Sequence, residues 1–414
     1  MSIRILYAAG PGDVIGTYWH WKSGHDDPSQ VAATYSVQFY DLCRELGAEA
    51  HVIASRRRPG FVRDGLFTIE HRPIPMEDRG GVLFHAGRLW YGLRLVASAV
   101  LEPADVVVAA GGTQWFLLGL LPLLGVKVVP SLHCALWPTG RRPKDLWGRV
   151  QQFLDGFFWR RCAAATICVS PECERQVREI AGAVRGPIVQ ARAHYRREYL
   201  DKVCAPPAHG ERPFRVLMAG RVERLKGMFD LLSVAERLER ERPGQFAWEV
   251  CGSGGALDEL REAVRQKGIE KSFTLMGHLE RAEMARALGR AHAVVVPTKS
   301  GFAEGLNKSA VEAVLAGRPV VTSRLSNVLE LLGPAVVEVP PDDVTAYGDA
   351  IIRLSQDVRF YEEKLRACAA VQGQFYDPER SWQAALRRAL AIVLRGRVDA
   401  CGRPVCPASM NAEA

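Results

Sequence analysis

The chain has 414 residues, 48% of them hydrophobic and 24% charged, with 38 Gly and 24 Pro. That balance excludes a disordered, fibrous or low-complexity protein, and the length suggests two or three domains. The formal net charge of +8 favours anionic partners such as nucleic acid, anionic lipid or a phosphorylated substrate, and does not choose among them.

The longest apolar runs are short. Trp115 to Val126 spans 12 residues, and a membrane-spanning helix needs about 20. No secretory leader is expected at the N-terminus. Ten cysteines are scattered without a C-x-x-C pair, mostly in apolar contexts such as Ile167-Cys168-Val169. This predicts reduced, small hydrophobic side chains in a cytoplasmic protein, and neither a zinc site nor a disulfide framework.

In chain order, a first strand over Ile3–Ala9 runs into Gly10-Pro11-Gly12-Asp13-Val14-Ile15-Gly16. That spacing is one residue off the commonest dinucleotide pattern. Tyr18 to Gln30 read as an intervening loop, with Tyr18-Trp19-His20-Trp21 either shaping a binding site or packing the loop. Asp26-Asp27 before Pro28 read as capping residues. The spacing of Val31, Tyr35, Phe39, Leu42 and Leu46 predicts a helix within 29–46, stopped by Gly47. Further strands are predicted at Ala50–Ser55, Leu66–His71, Ala104–Ala110, Val126–His133, Ala164–Ser170 and Pro187–Ala193. The second strand ends at Ser55-Arg56-Arg57-Arg58, with no acidic residue for a ribose.

Two basic, aromatic stretches are ambiguous. One is 84–101, with Phe84, Leu89, Trp90 and Leu93 against Arg88 and Arg94. The other runs from Arg141-Arg142-Pro143-Lys144 to Phe157-Phe158-Trp159-Arg160-Arg161. Both suit peripheral contact with an anionic membrane. Helices covering a sheet give the same pattern, and that reading is preferred.

Ala205-Pro206-Pro207-Ala208-His209-Gly210-Glu211-Arg212-Pro213 reads as a linker. A second strand series follows at Phe214–Ala219, Phe246–Cys251, Ser272–Met276, Ala291–Pro297, Pro319–Thr322 and Ala335–Val339, with a helix over 227–240. Continuous apolar strands alternating with amphipathic helices predict α/β architecture. The expected organisation is two Rossmann-like, doubly wound parallel-sheet domains facing a cleft, 1–200 and 214–375, joined by a linker at 201–213. A C-terminal helix within 376–396 returns to the first domain, and 397–414 is a flexible tail. Ligands of such folds bind beyond the carboxyl ends of the strands.

Two segments stand where a ligand would bind. Gly220-Arg221-Val222-Glu223-Arg224-Leu225-Lys226-Gly227 follows a strand and opens a helix, and its cations suit a diphosphate unless they only form a solvated basic loop. Pro297 to Ala313 also follows a strand. A helix is expected from near Asn307 to Ala316, its amino end welcoming an anion, with Glu304 in the loop before it and Glu312 inside it. A carboxylate such as Glu312 on an apolar turn needs partners, and a structural ion pair is the plainer alternative. Asp342-Asp343 is expected to cap the next helix.

Together these segments resemble the retaining glycosyltransferases of family 4, which have the two-domain GT-B fold. The resemblance rests on Gly220, Arg221, Lys226 and Gly227, on Glu304 and Glu312 separated by seven residues, and on Ala313-Val314-Leu315-Ala316-Gly317-Arg318-Pro319-Val320-Val321. Val250-Cys251-Gly252-Ser253-Gly254 and Gly277-His278-Leu279 add to it. It covers essentially all of 214–375 and is looser over 1–200.

The resemblance implies a nucleoside-diphosphate-sugar donor held mainly by the second domain. Arg221 and Lys226 would hold the diphosphate, and Glu312 the ribose hydroxyls. Glu304 would contact the sugar, and the backbone at Gly305, Leu306 and Asn307 the sugar or phosphate. It also implies that Gly12 approaches the donor phosphate, that the His133 side chain contacts the transferred sugar rather than merely packing, and that neither metal nor cofactor is used. The acceptor would be a carbohydrate or a lipid-linked sugar, in bacterial polysaccharide or glycolipid synthesis at the inner face of the plasma membrane. A sugar-nucleotide epimerase or hydrolase of the same fold, a non-catalytic polyanion-binding protein and an inactive scaffold remain alternatives. No nucleic-acid module is recognisable, so nucleic acid is not an expected partner.

Overall fold

The computed structural model describes residues 2–395. The expected tail at 397–414, with Cys401 and Cys406, lies outside the described residues.

The first sheet holds β1 (Arg4–Gly10), β2 (Glu49–Ala54), β3 (Gly60–Asp64), β4 (Phe67–His71), β5 (Val106–Ala109), β6 (Lys127–Leu132), β7 (Thr166–Cys168) and β8 (Ile188–Gln190). Their order is β3-β4-β2-β1-β5-β6-β7-β8, and every pair is parallel except β3 with β4. The second sheet holds β9 (Phe214–Ala219), β10 (Phe246–Cys251), β11 (Phe273–Gly277), β12 (Ala293–Val296), β13 (Val320–Thr322) and β14 (Val336–Glu338). It is wholly parallel, in the order β11-β10-β9-β12-β13-β14. In each sheet the chain starts in the middle and winds outward both ways, so each has a switch point beside its first strand.

Burial on both faces explains the continuous apolar strands. Along β1, Ile5 and Tyr7 enter one apolar cluster while Leu6 and Ala8 enter another on the opposite face, as the period of two requires. The same split occurs along β9, where Val216 and Met218 face one cluster and Leu217 the other. The cluster containing Leu6 and Leu217 runs through both domains. Residues 201–213 contain neither helix nor strand. Helix Trp382–Val393 packs on the first sheet, with Trp382, Leu386 and Leu390 buried beside Tyr7 and Phe39.

Three local expectations are corrected. Val14–Lys22 is a helix, not a loop; Asp13 caps it by accepting from the Gly16 amide. The helix expected within 29–46 starts only at Tyr35, because Thr34 caps it by accepting from the Val37 amide. Asp26 and Asp27 cap no helix: Asp26 pairs with Arg196 at 2.9 Å, and Asp27 accepts from the Ser29 amide in a turn. Asp343 does cap a helix, Val344–Gln356. No helix among the described residues is long and apolar enough to cross a membrane.

Candidate active site

The carboxyl ends of β9 to β12 open onto a cavity of about 620 Å³ between the two domains. Its floor is Met218 to Arg221 after β9, Cys251 to Ser253 after β10, His278 and Leu279 after β11, and Thr298 after β12. Lys226, Glu304, Leu306 to Ser309 and Glu312 form one wall, and Ser29 to Ala32 of the first domain close the other.

The short turn Arg224–Lys226 brings its lysine inward. Gly227 then adopts φ +80°, and a Cβ there would lie 2.0 Å from the Pro297 carbonyl oxygen. Only glycine lets the loop pass this close to the end of β12. Lys226 Nζ donates to Glu304 Oε2 at 2.5 Å, with both side chains largely buried. The same Glu304 oxygen accepts from Asn307 Nδ2 at 3.0 Å. Asn307 in turn caps helix Lys308–Leu315, its Oδ1 accepting from the Ala310 amide at 3.1 Å. A cation, a carboxylate and a helix amino end are thereby locked together at one edge of the cavity. Arg221 is more exposed. It pairs with Glu223 at 2.7 Å and lies 5.7 Å from the Phe302 ring centre, on which Lys226 also sits at 4.0 Å.

Deeper in, Glu312 has few partners. Tyr195 donates to its Oε1 at 3.4 Å. Burial pushes the Glu312 carboxyl up to about 7, against the opposing pull of Lys308 and the Tyr195 hydroxyl. Burial likewise lowers the Lys308 ammonium, with Glu312 opposing. Sequence reasoning missed Lys308 and Tyr195; the spacing of Lys308 and Glu312, one helical turn apart, was the available signal.

His133 follows β6 but lines a second cavity of about 460 Å³ in the first domain. Trp382 Nε1 donates to Ser131 Oγ at 2.8 Å, and Ser131 Oγ lies 2.9 Å from His133 Nε2. An indole nitrogen can only donate, so Ser131 Oγ accepts from Trp382 and links the indole to the imidazole. Burial, then Lys308, pull the imidazole down to about 3, so it is neutral at physiological pH. Gly305 of the second domain packs on the His133 backbone of the first, where a Cβ would lie 2.1 Å from the His133 carbonyl oxygen.

Three side chains that line the second cavity carry a buried polar atom with no partner: His85 Nδ1, Arg88 Nε and Gln114 Oε1. Gly10 and Pro11 reach its wall, whereas Gly12 is exposed and lines neither cavity. The structure thus brings Arg221, Lys226, Glu304, Leu306, Asn307 and Glu312 to one cavity, places His133 in the second with Gly305 against its backbone, and leaves Gly12 outside. Among the described residues, no three His, Cys, Asp or Glu side chains are grouped to hold a metal ion.

Two doubly wound domains with cations and a helix amino end gathered at the crevice between them define the class of GT-B glycosyltransferase folds. Family models agree. Glycosyl transferases group 1 matches residues 213–357, and Glycosyltransferase Family 4 matches residues 32–190. The chain belongs to the group 1 glycosyltransferases of GT-B type.

A glycogen synthase from Mycobacterium tuberculosis is 31% identical over 157 residues, which is 37% of each chain, so the match spans little more than a third of that enzyme. The 2-deoxystreptamine N-acetyl-D-glucosaminyltransferase of Streptomyces fradiae is 27% identical over 358 residues, covering 76% of this chain and 82% of its own. Among solved structures, Anabaena HepE in complex with UDP superposes with a TM-score of 0.62 at 15% identity, covering 95% of this chain and 98% of that one. The Escherichia coli trehalose-6-phosphate structure bound with UDP-2-fluoro glucose gives 0.69 at 11% identity, covering 92% and 98%.

Proposed function

We propose that this protein transfers a glycosyl group from a nucleoside-diphosphate sugar to an acceptor hydroxyl, with retention of anomeric configuration, on a carbohydrate or lipid-linked acceptor. The observation that carries the proposal is the Lys226–Glu304–Asn307 linkage, which aims a cation and a helix amino end at one point of the interdomain cavity. The UDP complexes of the fold neighbours support a nucleotide in that cavity.

Arg221 and Lys226 hold the diphosphate. Lys226 has three ammonium protons, so it keeps Glu304 and still donates to a phosphate oxygen. Glu312, once ionised, accepts from the ribose hydroxyls, and Glu304 accepts from the sugar. The bond between the anomeric carbon and the β-phosphate oxygen breaks, and its electron pair stays on that oxygen. Fixed cations stabilise the charge that develops there, without a metal or cofactor. The acceptor oxygen attacks the same face of the anomeric carbon, and its proton passes to the departing phosphate. The acceptor occupies the second cavity, whose lining offers the polar side chains of His85, Arg88 and Gln114. Neutral His133 orients sugar and acceptor rather than taking the proton.

The test is a panel of uridine, guanosine and adenosine diphosphate sugars, scored by thermal shift and then by NMR of the product. A donor should raise the melting temperature, and the new glycosidic linkage should keep the donor's configuration. An inverted product removes the retaining mechanism, and free sugar as the sole product moves the assignment to a hydrolase.

A further inference from the structure

Of the 22 large hydrophobic side chains exposed among the described residues, 14 fall between Val82 and Phe157, a segment holding about a fifth of those residues. They sit on three neighbouring elements. Helix Gly81–Leu101 exposes Val82, Leu83, Trp90, Leu93 and Leu101. The 3-10 helix Trp115–Leu124 exposes Leu120, Leu123 and Leu124. Helix Leu146–Arg161 exposes Leu146, Trp147, Phe153 and Phe157. The middle element packs against both helices, and His85 of the first helix meets Trp147 of the second at 5.6 Å between ring centres. The result is one surface. The inward faces of the same helices are separately occupied: Tyr91, Leu95, Ala99, Phe158 and Trp159 lie in the core. Covering the sheet therefore does not account for the outward hydrophobic side chains.

The charge of this surface says what covers it. Residues 82–157 hold seven Lys and Arg against four Asp and Glu, and Arg94, Arg141, Arg142, Lys144 and Arg149 are exposed. Arg94 follows Trp90 by one helical turn, and Arg149 and Arg160 flank Phe153 and Phe157 on one helix stripe. A second copy docking through a two-fold axis would set this patch against itself, cation on cation. A nucleic acid would meet an apolar centre. An apolar centre with aromatic side chains and a basic rim fits a lipid interface, whose acyl boundary takes the former and whose anionic head groups take the latter.

We propose that the face formed by residues 82–157 docks the protein on an anionic lipid bilayer. The second cavity is lined from the same two helices, by Phe84, His85 and Arg88 on one side and Gln151, Gln152 and Asp155 on the other. Docking therefore places that cavity at the lipid surface. The docking stands on the exposed face and its charge alone and is independent of the transfer reaction.

Co-sedimentation of the full chain with vesicles, without any sugar donor, tests it. The protein should pellet with phosphatidylglycerol–phosphatidylethanolamine vesicles at least tenfold more strongly than with phosphatidylcholine vesicles. Leu123→Ser with Phe153→Ser, and separately Arg94→Glu with Arg149→Glu, should each lower that binding at least tenfold while leaving the melting temperature unchanged. Hydrogen exchange with vesicles present should slow over 82–101, 120–124 and 146–157 and not over 344–371. Equal recovery in the supernatant with both lipids overturns the proposal. So does protection centred elsewhere, or a dimer in light scattering that the Leu123→Ser, Phe153→Ser variant dissociates. Loss of glycosyl transfer with vesicle binding intact would instead count against the function proposed above.

Discussion

The two domains share a fold plan but present their chemistry differently. In the second, the charged groups singled out at the cavity come from two short contiguous segments after β9 and β12: Arg221 and Lys226 lie five residues apart, and Glu304, Asn307 and Glu312 span nine. In the first, the corresponding cavity draws on distant segments, with His85 and Arg88 from one helix, Gln114 after β5, His133 after β6 and Asp155 from a second helix. Within one fold, the interdomain cavity is built by local geometry and the second cavity by tertiary assembly. The first pattern leaves a motif in the sequence. The second leaves only scattered polar residues whose meaning appears when they meet.

The sharpest way to break this contrast is to remove a cation from the local half. Lys226→Ala should lower turnover about 100–1,000-fold with the melting temperature nearly unchanged; near-normal turnover would mean that the leaving phosphate is stabilised elsewhere. The close approach between the domains comes next. Gly305→Ala forces a Cβ against the His133 carbonyl, and displacing reacting groups by about 1 Å costs on the order of 100-fold. Steady-state turnover with unchanged circular dichroism would show it, and a normal rate would mean that the two cavities do not act in register.

A smaller effect sharpens the energetics of the local half. The folded Glu312 carboxyl titrates near 7, above its ordinary 4.5. Between these values the folded chain keeps a proton that the unfolded chain has released, so stability contributed by the neutral group is lost as pH rises from 4.5 through 7. Glu312→Gln, which cannot ionise, should therefore melt higher than the parent at pH 8 and equally below pH 4.5. It should also show a weaker thermal shift with nucleoside diphosphate. The smallest expected effect is none at all: a chelator should leave transfer unchanged, and complete loss would overturn the metal-free mechanism.

How much was legible follows the same divide. All six strands of the second sheet were readable from their short apolar runs, although only the inner strands are largely buried on both faces and the edge strands β11 and β14 are partly exposed; Asn307 with Gly317 bracket their helix clearly. In the first domain, β3 escaped notice: Gly60–Asp64 is a five-residue antiparallel edge, and its side chains are exposed or only partly buried. Helix Val14–Lys22 escaped because Thr17, Tyr18, Trp19 and Trp21 are weak helix formers and set up no clear apolar stripe. The cap at Asp13 and Gly16 was the one local sign. Glu304 was placed correctly in a loop, but its pairing with Lys226 joins residues 78 apart, which no spacing rule supplies. The exposed face over 82–157 had a readable composition, yet only the burial of the inward helix faces separates it from an ordinary sheet cover.

The burial of Trp382 beside Tyr7, Phe39 and Ser131 sets an order of events during synthesis. The helix carrying it leaves the ribosome after the entire second lobe has emerged. Until then the first lobe stands unfinished, with a gap where the indole belongs and no donor for Ser131. The nascent first half must wait for a segment translated after the whole second lobe before its histidine is held in place, so a product truncated before Trp382 would lack that contact however well its second half had folded.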